Sequence, residues 1–241
     1  MVATSSLGAR SARRCRVAPW WADHQVSGTT VSTTPSPSTA LHGIAPAVQD
    51  RYLPGCYPEN IETDFVTPSG AVLRLRPIRS GDDGKLVAFH SHLSSDSIYR
   101  RYFSFHPDLS PEEVCHLTHV DYVDRLAIVI EDGDELVAVG RYDRYPNSPI
   151  AEVAFIVRDD YQHLGLGHRL LEALAAAAWA RGVTSFSAET LFSNRDMMAV
   201  FTHSGFSITS SVSRGEISVR FPIEPTKDCL ILRNKYRAGT N

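Results

Sequence analysis

The sequence predicts one α/β domain, residues 66–225, behind a disordered leader, residues 1–65, and before a short tail, residues 226–241. Three observations carry this. The leader contains "SGTTVSTTPSPSTALHG", a Ser/Thr/Pro stretch with little to bury. Beyond it, apolar residues recur at strand and helix spacings in the order β-α-α-α-β-β-β-α-β-α-β-β. An alanine-rich run, "HRLLEALAAAAWARG", sits among the strand patterns as a crossover helix would.

Each element has a local reason. "AVLRLRPI" (71–78) alternates apolar and basic residues, as on a half-buried strand. "RSGDDGKLVAFHSHLS" has a start signal at Ser80 and apolar Leu86, Val87 and Phe89, which predicts a helix. "SDSIYRRYFSF" predicts a second, short helix with Tyr99, Tyr102 and Phe103 turned inward. In "SPEEVCHLTHV", Ser110 is a natural N-cap, Pro111 suits the first helical position, and Glu113 closes a capping box. "RLAIVIE" (125–131), "LVAVGRYDR" (136–144) and "IAEVAFIV" (150–157) read as strands joined by "EDGDE" and "YPNSP" turns. The alanine-rich helix stops at Gly182. "TSFSAET" (184–190) is a strand, "NRDMMAVFTHSG" (194–205) a helix, and "FSITSSVS" with "EISVRFPI" a hairpin about Arg214-Gly215.

Composition excludes several classes. A net charge of -3 gives no reason to expect nucleic acid as a partner. No apolar stretch is long enough to span a bilayer, so no membrane partner is expected. The N-terminal arginines (Arg10, Arg13, Arg14, Arg16) lack the apolar region of an export signal, and a cytoplasmic location is the expectation. The four cysteines are widely spaced, form no C-x-x-C pair and suggest neither zinc nor a disulfide framework. His116 and His119 are three apart but belong to no zinc pattern, so no metal is expected. The histidines read as helix-surface or helix-end residues.

Gly165 and Gly167 stand where the alanine-rich helix begins, although glycine is a poor helix residue. The first N–H groups of a helix have no intrahelical partner, and with the macrodipole they attract anions. Glycine leaves that backbone accessible to a phosphate. Gln162-His163-Leu164-Gly165-Leu166-Gly167 therefore fits a pyrophosphate cradle, with a tight strand-to-helix turn as the structural alternative. It is not a dinucleotide fingerprint, because the third glycine is missing, and no Walker A is present.

The stretch resembles the Q/R-x-x-G-x-G/A motif of the GCN5-related N-acetyltransferase (GNAT) superfamily. The resemblance covers about residues 71–222. A second signature agrees, with Asn194 after a strand and Gly205-Phe206 at the end of the next helix. "SDSIYRRYF", "LTHVDY", "AEVAF" and "YQHLGLG" are similar to the acetyltransferase domain of bacterial protein lysine acetyltransferases. The resemblance implies a mixed, mostly antiparallel central sheet flanked by helices. It implies acetyl-CoA as co-substrate, bound by Gln162 to Gly167, by the backbone of Ala154, Phe155 and Ile156, and by Asn194. It implies a protein lysine or a small amine as acceptor, with Glu152 as general base. A non-catalytic acyl-CoA sensor is the reading from another class.

Two physical arguments stand beside the resemblance. Acetyl transfer needs a neutral amine, and lysine has a pKa of about 10.4, so a base is useful near neutrality. On a strand, Glu152, Ala154 and Ile156 share one face, and apolar neighbours there would raise the carboxyl's pKa. The alternatives for Glu152 are a solvent-facing charge or an arginine's partner, and for Asn194 a helix cap. Many members of the superfamily place a tyrosine seven residues after the asparagine, as an acid. Here that position is Phe201, which donates no proton.

Overall fold

A computed structural model of the chain describes residues 55–106 and 108–225, so most of the leader and the tail lie outside the described residues. Eight strands form one sheet in the order β1-β2-β3-β4-β5-β6-β8-β7. They are β1 (Thr63–Val66), β2 (Val72–Pro77), β3 (Arg125–Asp132), β4 (Glu135–Arg144), β5 (Ile150–Val157), β6 (Ser185–Leu191), β7 (Thr209–Ser213) and β8 (Glu216–Pro222). Every neighbouring pair is antiparallel except β5 and β6. That parallel pair needs a crossover, which α4 (Leu166–Trp179) supplies. The other helices are α1 (Asp83–Ser91), α2 (Ser95–Tyr102), α3 (Pro111–Thr118) and α5 (Arg195–Thr202).

The strand period of two sorts the core onto two faces. Leu126, Ile128 and Ile130 of β3 join Leu170 and Leu174 of α4 in the larger core. Ala127 and Val129 face the other way, with Leu86 and Phe89 of α1 and Ile98 of α2. The sheet is thus covered by α4 and α5 on one face and by α1, α2 and α3 on the other. The capping box at α3 forms as its sequence dictates. Ser110 Oγ accepts from the Glu113 N–H, and the Glu113 carboxylate accepts from the Ser110 N–H at 2.8 Å.

The described structure extends further toward the N-terminus than the alternation at 71–78 indicates. All but the last residue of strand β1 lies within the stretch assigned to the leader, and Phe65 is part of the larger core. Ahead of it, Tyr57 donates to Glu62 at 2.7 Å and lies under the Arg79 guanidinium. The strand was not legible because it has four residues, of which Phe65 alone is buried. Tyr99 also departs from expectation, at 49% exposed, while Ile98 takes the buried position on α2. His90 stands in the last turn of α1, a helix end as expected, and is buried there with its ring 6.0 Å from that of Tyr102. Among the described cysteines, Cys56 is an exposed free thiol.

A buried ion network ties β2, β3 and α1 together. The Arg76 guanidinium donates to Asp82 at 2.7 and 2.9 Å and to Glu131 at 2.6 and 2.8 Å. Lys85 reaches Glu131 at 2.8 Å. These partners hold the Glu131 carboxyl down at about 2, despite burial that pushes it up. Arg76→Leu would strand Asp82 beside a shortened network. We expect a loss of about 3–5 kcal/mol, read as a lower urea midpoint with an unchanged slope.

Candidate active site

Strands β5 and β6 pair only over Ile150↔Ser185, Ala151↔Phe186 and Glu152↔Ser187. Beyond Glu152 they part. β5 continues to Val157 against β4, and β6 continues to Leu191 against β8. From Val153 onward, one edge of β5 therefore has no strand beside it, so its backbone groups there have no ladder partner.

An open groove of about 1180 Å³ lies at this parting. Of the residues singled out from sequence, Phe155, Ile156, Gln162, His163, Gly165, Leu166, Gly167 and Asn194 line it. Ala154 lines the adjoining cavity instead, and Leu164 packs against the larger core. The loop at its end has His163 at φ 62° and Gly165 at φ 78°, both left-handed. Gly165 is the N-cap of α4, and a Cβ placed on it would meet nothing within 4 Å. The first N–H groups of α4 thus begin at an uncovered turn, the geometry of an anion site. Gly167 has a different reason to be glycine. A Cβ there would stand 3.1 Å from Val200 Cγ2, so it permits α4 to approach α5.

Two predicted contacts prove to be internal as well. The Gln162 amide donates to Ser97 Oγ and to Val157 O, each at 3.2 Å. Asn194 caps α5, its Oδ1 accepting from the Met197 N–H at 3.1 Å, while it also lines the groove. Asp159 completes the link between loop and helix by accepting from the Ser94 N–H, Ser94 Oγ and Ser97 Oγ. The start of α2 is thereby fastened to the glycine loop.

That fastening turns Arg100 and Arg101 into the site, and the sequence reading missed both. Each lines the groove and the adjoining cavity. Arg100 pairs with Asp96 at 2.8 Å and with Asp196 of α5 at 3.5 Å. No local rule singled them out, because which way each arginine of α2 points depends on how the helix packs.

Glu152 sits where the strands part. It is 6% exposed, and its Oε1 makes no hydrogen bond. Burial pushes its carboxyl up to about 7. Arg101 opposes this shift, and Asp143 and Glu189 reinforce it. Asp143 is the cross-strand neighbour of Glu152, but it is itself neutralised by Arg125 and Arg141, each at 3.0 Å. Neither of the alternatives weighed for Glu152 is observed: it is not solvent-facing, and it forms no ion pair with an arginine among the described residues. Phe201 is fully buried, 5.6 Å from the Phe221 ring and 6.3 Å from that of Phe155. Among the described residues no group of three or more His, Cys, Asp or Glu side chains is placed to hold a metal. No described helix is long and apolar enough to cross a membrane.

The parted sheet thus carries a glycine turn at one end of its groove and a buried carboxyl at its apex, and comparison with known proteins gives the family to which this arrangement belongs. The Acetyltransferase (GNAT) family profile matches residues 94–206. The GNAT domain of PAT from S. lividans is 37% identical, with a TM-score of 0.66, over 69% of this chain and 99% of that one. The chain belongs to the GNAT acetyltransferase family, which uses acetyl-CoA. Acetyltransferase Pat of Mycolicibacterium smegmatis is 34% identical over 58% of this chain and 45% of its own length. The chain thus spans less than half of that relative. Acetyltransferase PA5475 of Pseudomonas aeruginosa is 28% identical over 57% of this chain and 76% of that protein.

Proposed function

We propose that the protein is an acetyl-CoA-dependent N-acetyltransferase that acetylates a lysine side chain of a protein by direct attack, with Glu152 as general base. The observation that carries this is the hydrogen-bond-free carboxyl oxygen of Glu152, buried at the apex between the two parted strands. A carboxyl titrating at about 7 is half ionised at neutral pH and still basic enough to take a proton from an amine as it becomes acylated.

The groove residues fit the coenzyme. The uncovered turn at Gly165 leaves the first N–H groups of α4 accessible to a pyrophosphate. The unpaired edge of β5, at Ala154, Phe155 and Ile156, offers backbone donors and acceptors to the amide-bearing arm. When bound, acetyl-CoA supplies the acetyl group as a thioester. Asn194 and the Gln162 loop shape the groove, and Arg100 and Arg101 add positive charge beside the anionic ligand. Phe201 leaves the departing thiolate without a tyrosine at that position, and a thiolate leaves without one more readily than an alkoxide.

Labelled acetyl-CoA tests the reading, with cell lysate in one tube and a small-amine library in another. Label on protein supports it. A labelled soluble amine replaces it with small-amine transfer. Coenzyme binding with neither product replaces it with an acyl-CoA sensor.

A further inference from the structure

Two buried polar atoms without a hydrogen bond line one small cavity, of about 360 Å³, in the gap where β5 and β6 part. One is Glu152 Oε1. The other is Thr190 Oγ1, on a residue only 1% exposed. Among the described residues no other such atom lines this cavity. The strand period puts the two on opposite faces of the sheet. Thr190 shares its face with Phe186 and Ala188 of β6 and pairs by register with Ile217 of β8, all three in the larger core. Glu152 alternates with Ala151 and Val153, which belong to that core, and so looks to the other face.

A buried hydroxyl without a partner costs folding free energy, and valine would fill nearly the same space without that cost. The hydroxyl of Thr190 is therefore explained by a partner that enters the cavity. Four charged residues line the cavity, and none stands on the Thr190 face of the strands: Glu152 and Glu189 look to the other face, and Arg100 and Arg101 enter from α2. Beside Thr190 the lining is Phe155, Phe201 and Met197, which have no side-chain donor. Asn194 lies at the mouth shared with the coenzyme groove, and its Oδ1 caps α5.

We propose that Thr190 is a further catalytic residue, whose hydroxyl donates a hydrogen bond to the thioester sulfur from across the cavity that it shares with Glu152. This rests on the acetyl-transfer reading above. As the acceptor nitrogen bonds to the acetyl carbon, the carbon–sulfur bond breaks and its electron pair passes to sulfur. Glu152 takes the proton that the nitrogen loses. Thr190 donates to the sulfur as it becomes anionic, and keeps its own proton, because an aliphatic hydroxyl is a far weaker acid than a thiol. Water later protonates the released thiolate. Base and donor thus stand on opposite sides of the gap, each aimed at the place where its charge develops. Phe201 need then supply no acid.

The test is the ionisation of the CoA thiol bound to the full chain. It is read as the ultraviolet absorbance of the thiolate, against the same protein holding desulfo-CoA. A hydrogen bond to the thiolate favours the charged form and lowers the thiol's pKa. Thr190→Val should raise that pKa by about 1 or more relative to wild type, and Thr190→Ser should keep it near the wild-type value. In turnover, Thr190→Val should lower kcat by about tenfold or more, with acetyl-CoA affinity and acceptor KM kept. The acidic limb governed by Glu152 should not move. The same substitution should raise the melting temperature, because it removes a buried hydroxyl without a partner. An unchanged thiol pKa in Thr190→Val overturns the proposal. So does a fall in kcat that Thr190→Ser does not rescue, or one that comes with a lower melting temperature, because Thr190 would then be a packing residue. A Thr190-dependent thiol pKa in a protein that acetylates neither proteins nor small amines would keep the donor and remove the transferase reading instead.

Discussion

At pH 8 the Glu152→Gln protein should turn over about 10²–10⁴-fold more slowly than wild type and yet unfold at a higher temperature. The rate falls because glutamine is nearly isosteric but accepts no proton, so coenzyme affinity should be kept. In the wild type, activity should rise with pH through a midpoint near 7, where the buried carboxyl ionises. In the variant that limb should be gone. The stability gain has the same origin. The folded carboxyl titrates at about 7 and the unfolded one near 4.5. Between these values the folded state holds a proton that the unfolded state has released, so wild-type stability falls as pH rises through that window. Above it the cost is constant, at most roughly 3 kcal/mol. Glutamine never ionises, so the melting-temperature gap should be small below pH 4.5 and largest above pH 7. Unchanged turnover on the true acceptor would remove Glu152 as the base. A gap that does not grow with pH would show that its burial costs nothing.

Gly165→Val should remove acetyl-CoA binding by calorimetry while lowering stability by only about 1–3 kcal/mol. The site is open, so the new side chain meets no protein atom. The stability cost is that of a β-branched residue at a φ of 78°. The binding cost is larger, because the side chain and the displaced backbone both deny a phosphate the N–H groups of α4. Gly167→Val should behave in the opposite sense. Its Cβ meets Val200, so stability should fall first, and Val200→Ala should restore much of it. If the two variants lose stability and binding in equal proportion, the Gly165 turn is structural and not a ligand site.

What could be read from the sequence was whatever a local rule determines. The alternation in β2, the apolar run of β3, the capping box of α3 and the glycine stop at Gly182 are local, and all appear in the structure. Glu152 was legible because strand alternation places it on a face with Ala154 and Ile156, and the GNAT likeness supplied the role. What was missed depends on partners distant in the chain. The reason for Gly167 is Val200, on another helix. The direction of Arg101 follows from Asp159 holding the start of α2.

The single parallel pairing of β5 and β6 also orders the folding of the chain. Strands β2 to β5 are joined to their sheet neighbours by antiparallel ladders, and β3–β4 and β4–β5 close through short turns with low entropic cost. The β7–β8 hairpin is local too, whereas β6 reaches β8 across the whole of α5. β5 and β6 pair across the whole of α4, a slower, less local step than closing either of the β3–β4 and β4–β5 turns. The groove lined by Phe155, Gly165 and Asn194 lies along that seam. Pulse-labelling hydrogen exchange during refolding should protect the β3–β4 amides before those of Ala151 and Glu152, and coenzyme binding should appear together with the later phase.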